Sequence, residues 1–103
     1  MRNNDHLANN YIDSGTGWSL WGIGKIRILN FLDLSVPNTG LTTFSAHKPT
    51  RLAQTLNVGY DNTNKTNVNI LLTNTGYLYC ANPSNGNLIT VSALRGSLMW
   101  SVD

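Results

Sequence analysis

The chain has 103 residues, of which 41% are hydrophobic and 12% are charged, and its formal net charge is +2. This length suits one domain with a small core, and the scattered Lys and Arg residues argue against a clustered nucleic-acid-binding face. A single cysteine excludes an intrachain disulfide, and no apolar run approaches the ~20 residues of a membrane span.

The first predicted elements follow a polar segment. Residues 1–14 lack periodicity and are predicted to be a linker or the remnant of a longer tail, with the folded domain spanning residues 15–103. Trp18 and Trp21 belong to a strand that kinks or bulges at its glycines. Residues 25–34 form a second strand with apolar side chains on both faces: Ile26, Ile28, Leu32 and Leu34 on one, Leu29 and Phe31 on the other.

The middle of the chain alternates turns and short strands. Residues 35–40 form a turn, because Pro37 cannot donate to a strand ladder. Residues 41–44 are predicted to form a short strand and residues 45–50 a loop. The strand over residues 51–60 has two distinct faces: Leu56, Val58 and Tyr60 on one, Thr55, Asn57 and Gly59 on the other.

The strongest signal is a hairpin over residues 67–81 (NVNILLTNTGYLYCA). Two runs of alternating residues flank a Thr-Asn-Thr-Gly turn, which is typical of antiparallel strands. Gly76 is expected to supply the positive φ that closes the short loop. Cys80 alternates with Leu78, so we interpret it as a core residue and not as a reactive thiol.

The end of the chain continues the same pattern. Residues 82–87 form a turn, residues 88–91 a short strand, and residues 97–102 a terminal strand that follows Arg95 and Gly96. The total is about seven short strands with no convincing helix. The sequence therefore predicts an all-β fold, a compact antiparallel β-barrel or β-sandwich.

Three stretches of this pattern resemble one protein family. They are Lys48-Pro49-Thr50-Arg51, the hairpin over residues 68–79, and residues 95–102, which begin with Arg-Gly. The chain resembles, over residues 18–103, the C-terminal head domain of receptor-binding proteins from tailed phages of Gram-positive hosts.

The resemblance implies a β-barrel that forms a homotrimer at the tail tip or baseplate of a virion, next to other tail proteins. Such heads bind a saccharide of the host cell surface without catalysis and without membrane insertion. Their first hairpin strand carries a His and an Asp that hold sugar hydroxyls, and the matching positions here are Asn69 and Leu71. Tyr79 is the nearest counterpart of the aromatic residue after the hairpin, and Arg95 matches the arginine of the Arg-Gly pair.

Sugar recognition needs aromatic rings that pack on C–H faces and planar polar groups that bond hydroxyls. Tyr77 and Tyr79 alternate with Leu78 and Cys80, so they are expected to face a ligand or a neighbouring subunit. The predicted ligand-binding residues are Asn57, Asp61, Asn69, Tyr77, Tyr79 and Arg95.

Arg95 has three open interpretations: it holds a turn carbonyl, pairs with Asp61 or Asp103, or contacts a sugar phosphate through its bidentate fork. The tryptophans are assigned to the core or to a subunit interface, because burial explains most large aromatic side chains. They are Trp18, Trp21 and Trp100.

Nothing in the sequence indicates catalysis, a cofactor or a metal site. Asp33 and Asp61 show no sign of the pairing that glycosidase carboxylates need, and His47 has no nucleophile at a recognisable spacing. Two alternatives to the saccharide-binding head stay open. One is a structural β module of a phage tail, fibre or baseplate, with subunit contacts at outward apolar positions: Leu29, Phe31 and Leu71. The other is a small β-barrel that binds single-stranded nucleic acid by stacking.

Overall fold

The computed structural model describes residues 10–50 and 54–102. They form one antiparallel sheet of eight strands: β1 (Asn10–Gly15), β2 (Trp18–Ile23), β3 (Ile26–Val36), β4 (Gln54–Asp61), β5 (Thr66–Thr73), β6 (Leu78–Ala81), β7 (Leu88–Ile89) and β8 (Val91–Ser101). The order across the sheet is β1-β2-β3-β8-β4-β5-β6-β7. The all-β prediction is confirmed, and a 3-10 turn at Ser45–His47 is the only helical piece in the described ranges.

The sheet curls so that both of its halves cover a single core. Strands β3 and β6, which are not neighbours in the sheet, come into contact across that core. Burying a Leu or Ile side chain stabilises a fold by roughly 1.5–3 kcal/mol, so the inward-facing set holds the two halves together. Its members include Leu20, Leu29, Phe44, Val68, Ile70, Leu72, Leu78, Cys80, Leu94 and Leu98.

The predicted hairpin is confirmed as β5, a turn and β6. Val68, Ile70 and Leu72 face the core, and Gly76 closes the turn with a φ of +90°. Cys80 is fully buried, and burial raises the pKa of its thiol to about 12. Its thiol is therefore protonated at neutral pH. Cys80 is a small core residue, as the alternation predicts.

A bulge in β3 changes which of its residues reach the core. Leu32 and Asp33 are both exposed, Asp33 has a φ of +58°, and the pairing of β3 with β8 shifts register at this point. An extra residue of this kind reverses the alternation beyond it. The shift places Leu34 and Val36 on the same buried face as Leu29 and Phe31, while Leu32 is 65% exposed. The prediction that Leu29 and Phe31 make outward subunit contacts is wrong.

The sheet begins upstream of the predicted domain start. Asn10–Gly15 forms β1 and pairs with β2, although these residues, up to Ser14, fall in the predicted linker. The strand is exposed along most of its length, so it has no apolar alternation to read. Residues 1–9 lie outside the described residues.

The sequence predicts a short strand over residues 41–44. In the structure these residues belong to a loop that is anchored to the core. Leu41 makes one isolated bridge to Leu78. Phe44 is fully buried and packs edge-on against Trp18, with ring centroids 5.0 Å apart. At the other end of the chain, β8 runs from Val91 through Gly96 without interruption, so it is longer than the predicted terminal strand.

Strands β4 and β8 pair over a short distance and then separate. Their register is limited to Tyr60 with Arg95 and Asp61 with Leu94. Beyond it, Thr55 Oγ1 donates to the carbonyl of Met99 at 2.9 Å. Asn57 Nδ2 donates likewise to the carbonyl of Ser97 at 2.7 Å. Polar side chains of β4 therefore satisfy β8 carbonyls that no β4 amide reaches.

Candidate functional site

Two of the predicted ligand-binding residues lie on the outward face of β5 and β6, and a third, Tyr77, directly precedes β6. Asn69 stands opposite Val58 of β4 on one side and Ala81 of β6 on the other. Tyr79 stands opposite Leu71, so it is the diagonal neighbour of Asn69. Diagonal residues on paired strands are about 7–8 Å apart and within reach of one another's long side chains. One ligand can therefore touch both.

The two tyrosines of the hairpin form a stacked pair. The rings of Tyr77 and Tyr79 have centroids 6.0 Å apart and planes inclined by 17°. A Cβ atom on Gly40 would lie 2.8 Å from both rings, so the glycine leaves the space that the pair occupies. Tyr77 remains 39% exposed, which keeps part of the pair open to solvent.

The amide of Asn69 lies at a depression of about 260 Å³ on this outward face. Leu56, Val58 and Asn57 line the depression with it. Within the described part of the chain, the Asn69 side chain makes no hydrogen bond, so its donor and acceptor face solvent. An amide of this kind offers both hydrogen-bonding groups to a hydroxyl.

Asn57 and Asp61 serve the fold. The Asn57 amide donates to Ser97 across the β4–β8 gap. Asp61 is 2% exposed and caps the following turn, because its carboxylate accepts from the amide nitrogen of Thr63 at 3.0 Å and from Asn64 Nδ2 at 2.9 Å. Because Asp61 is buried and bonded to these donors, its carboxylate stabilises its own turn and is not available to a ligand.

Arg95 pairs with Asp33, which is neither of the two aspartates that the sequence offered: Asp61 is bonded in its own turn, and Asp103 lies outside the described residues. The Nε of Arg95 donates to Asp33 Oδ1 at 2.8 Å and its Nη2 to Asp33 Oδ2 at 3.0 Å. This bidentate bond to Arg95 is the main cause that lowers the pKa of Asp33. The bulge makes the contact, because it turns Asp33 outward beside the neighbouring strand.

Replacing Asp33 by asparagine is expected to lower stability at pH 7 and to lower it less as the pH falls towards 2. Asparagine tolerates the positive φ as aspartate does, so the substitution removes the charge and one of the two acceptor oxygens without straining the backbone. The lowered pKa means that the pair stabilises the fold above the ordinary carboxyl value of 3.8 and that this contribution is lost as pH falls through the folded-state pKa. Urea unfolding of both proteins across this range measures it. An equal difference at pH 2 and pH 7 would contradict the charge pairing.

The three tryptophans occupy different layers. Trp100 is 4% exposed and belongs to the core, and Trp18 packs partly buried against it. Trp21 faces outward from β2, where Tyr11 packs edge-on at 5.6 Å between ring centroids. Its Nε1 donates to Ser19 Oγ at 3.0 Å.

The exposed apolar residues of β4 and β8 are the feature that sequence reasoning missed. Leu56 and Met99 are each 62% exposed and Val58 is 61% exposed. Thr55 bonds to the Met99 carbonyl, so Leu56 and Met99 stand on adjacent strands. We call these three side chains the apolar row. The alternation in residues 51–60 shows two faces, but nothing in it says that the apolar one points outward.

Other classes of site leave no trace among the described residues. No group of three or more His, Cys, Asp or Glu side chains is placed to hold a metal ion. The same residues include no helix with the length and hydropathy that crossing a membrane requires. Comparisons with protein-family models, curated proteins and solved structures found no match to this chain.

Proposed function

We propose that this chain is the receptor-binding head of a phage tail, assembling as a homotrimer and binding a saccharide of the host cell surface without converting it. The observation that carries the proposal is the outward face of β4 to β6. There the free amide of Asn69 lies in a depression with apolar walls, and Tyr79 is its diagonal neighbour. The resemblance of the hairpin and the Arg-Gly stretch to phage heads supports the same conclusion.

The chemistry of this face suits a sugar. A pyranose ring presents C–H faces that pack on an aromatic or aliphatic surface, and hydroxyls that donate and accept at once. Tyr79 offers a ring for the first, and the Asn69 amide offers a donor and an acceptor for the second. The site is shallow, so a single contact binds weakly. Three copies on one trimer would raise the apparent affinity through multivalency.

The apolar row supports the trimer. Three exposed apolar side chains on adjacent strands offer a surface that another subunit can cover. Leu56 and Val58 wall the depression and also belong to the row, so the proposed saccharide site lies at the border of the proposed subunit contact. Virion location at the tail tip or baseplate, and contact with other tail proteins, belong to the same proposal.

Alanine at Tyr79 is expected to weaken binding of cell-wall polysaccharide about tenfold, because it removes the stacking ring. Phenylalanine at this position keeps the ring and should retain most of the affinity. Calorimetric titration with a panel of purified Gram-positive cell-wall polysaccharides measures both. Equal loss in Y79A and Y79F would argue against stacking.

Asn69→Ala provides an independent arm, with an expected loss of roughly fivefold to tenfold for one hydrogen-bonding amide. Asn74→Ala is its matched control, since Asn74 is exposed in the hairpin turn away from the depression. Thermal melts check that each variant is folded. Absence of binding to every polysaccharide at millimolar concentration by the wild type would overturn the receptor function.

A structural tail module without ligand is the second candidate. It is favoured by the internal roles of Asn57, Asp61 and Arg95, which leave half of the predicted ligand-binding residues engaged within the fold. The same titration separates the two, because this module would assemble but bind no polysaccharide. A short single-stranded oligonucleotide, titrated in parallel, tests the alternative that the protein binds single-stranded nucleic acid by stacking.

A further inference from the structure

A second concave surface lies between β1, the start of β3 and the loop that precedes β4. It is a groove of about 410 Å³. Arg27, His47, Lys48 and Thr50 supply its polar lining, and apolar side chains such as Ile12 complete it. We call it the basic groove. None of the residues proposed for the saccharide site takes part in it.

The two cations of the basic groove, Arg27 and Lys48, donate hydrogen bonds to uncharged backbone carbonyls. Arg27 Nη1 donates to the carbonyls of Gly24 at 2.9 Å and Ile26 at 3.1 Å. Lys48 Nζ donates to the carbonyl of Ser45 at 3.1 Å. Carbonyls fix the position of a cation without cancelling its charge. Arg95, by contrast, is neutralised by a carboxylate.

The walls of the basic groove are fixed by packing. Pro49, between Lys48 and Thr50, is fully buried, and the His47 amide donates to the carbonyl of Phe44 at 2.9 Å. Gly22 leaves the space that the Ile12 and Arg27 side chains occupy. A Cβ atom there would lie 2.8 Å from Ile12 Cδ1 and 3.1 Å from Arg27 Nη1. Donors that are held in place before binding lose less entropy when a ligand arrives.

One carboxylate stands near this cluster and is already bonded. Asp13 Oδ2 lies 3.0 Å from His47 Nε2, and Asp13 Oδ1 accepts from the Ser14 amide at 2.8 Å. The contact ties the loop to β1. Among the described residues no carboxylate lines the groove itself, so its lining is cationic at neutral pH.

We propose that the basic groove binds a phosphate group, either free or as a phosphodiester in a polymer. Arginine presents a fork of donors that matches two phosphate oxygens, lysine adds a point charge, and the Thr50 hydroxyl offers a further donor. The apolar wall at Ile12 and Val102 accommodates the carbon atoms to which the phosphate is attached. The basic groove shares no lining residue with the saccharide site, so either proposal can be wrong while the other holds.

The test is a titration of the ¹⁵N-labelled protein with inorganic phosphate, followed by heteronuclear NMR at constant ionic strength set with chloride. Saturable shifts are expected at the amides of Arg27, Ala46, His47, Lys48 and Thr50. Arg27→Gln combined with Lys48→Gln should weaken binding at least about tenfold, since two charge-assisted contacts are lost. Lys65→Gln is the matched control, because Lys65 lies in the β4–β5 turn bonded to Asn62.

The second arm compares a phosphodiester-linked polysaccharide with a neutral one. Stronger binding of the phosphodiester polymer, lost in R27Q/K48Q and kept in N69A, assigns the groove to the polymer. Binding of inorganic phosphate alone assigns it to the free ion. Two results would overturn the proposal. The first is a set of shifts that do not saturate up to about 20 mM phosphate, which is roughly the weakest affinity of interest. The second is equal affinity for phosphate in the wild type and in R27Q/K48Q.

Discussion

Replacing Gly76 by alanine is expected to lower the free energy of unfolding by about 3 kcal/mol. Gly76 has a φ of +90°, and a Cβ atom there would lie 2.5 Å from Cα of Ser45. The contact is with backbone, so no rotamer change relieves it. The substitution must push the hairpin turn away from the Ser45–His47 turn or distort both. Urea unfolding of the two proteins measures the loss.

Gly86→Ala separates the two causes. Gly86 also has a positive φ, +75°, but a Cβ atom there would meet nothing within 4 Å. Its replacement is expected to cost about 1 kcal/mol, from backbone conformation alone. The difference between the two variants therefore reports the contact with Ser45. Equal losses would show that the two turns do not pack as closely as described.

Replacing the apolar row by threonine is expected to convert the proposed trimer to a monomer. Leu56→Thr, Val58→Thr and Met99→Thr keep strand propensity while removing side chains that are each about three-fifths exposed. The loss is roughly 1–2 kcal/mol for each side chain that an interface buries. Together the three cost roughly 3–6 kcal/mol, which raises the dissociation constant at least about 150-fold. Sedimentation equilibrium at micromolar concentration measures the change.

Leu88→Thr is the matched control for this variant. Leu88 is 46% exposed on β7, the far edge of the sheet, so its loss should leave the association state unchanged. Circular dichroism verifies that the triple variant keeps its strands. A wild-type protein that sediments as a monomer would rule out the trimer. A triple variant that remains a trimer would place the subunit contact elsewhere.

The parts of the fold that the sequence predicts are those with one buried and one exposed face. The hairpin is of this kind, because Val68, Ile70 and Leu72 are buried while Asn67 and Asn69 are exposed. β1 is not, since nearly all of its side chains are exposed and its position depends on backbone pairing with β2. Backbone pairing leaves no pattern in the side chains, so this strand escapes prediction.

The bulge at Asp33 marks a second limit. Alternation assumes that every residue advances the strand by one step, and a single inserted residue reverses the faces beyond it. No residue type near Asp33 announces the insertion. The partner of Arg95 depends on that bulge, so this ion pair could not be predicted, although pairing with an aspartate was one of the three interpretations that the sequence left open.

The candidate site divides in the same way. Tyr77 and Tyr79 are predictable as outward residues because Leu78 alternates with them. Asn57 and Asp61 carry side chains that suit a ligand and a turn equally well, and only the surrounding chain decides between these uses. For Asp61 the decision comes from the turn at Thr63 and Asn64. For Asn57 it comes from the gap between β4 and β8.

The position of β8 in the sheet has a consequence for biosynthesis. This strand follows all the others along the described chain, yet it is inserted between β3 and β4. On the ribosome, the hairpins that precede it emerge first and can form from contacts close in sequence. Both β3 and β4 then carry an unpaired edge, the kind of edge that recruits strands from other nascent chains. The arrival of β8 pairs β3 along most of its length and β4 at one end, and it joins the two halves into one molecule.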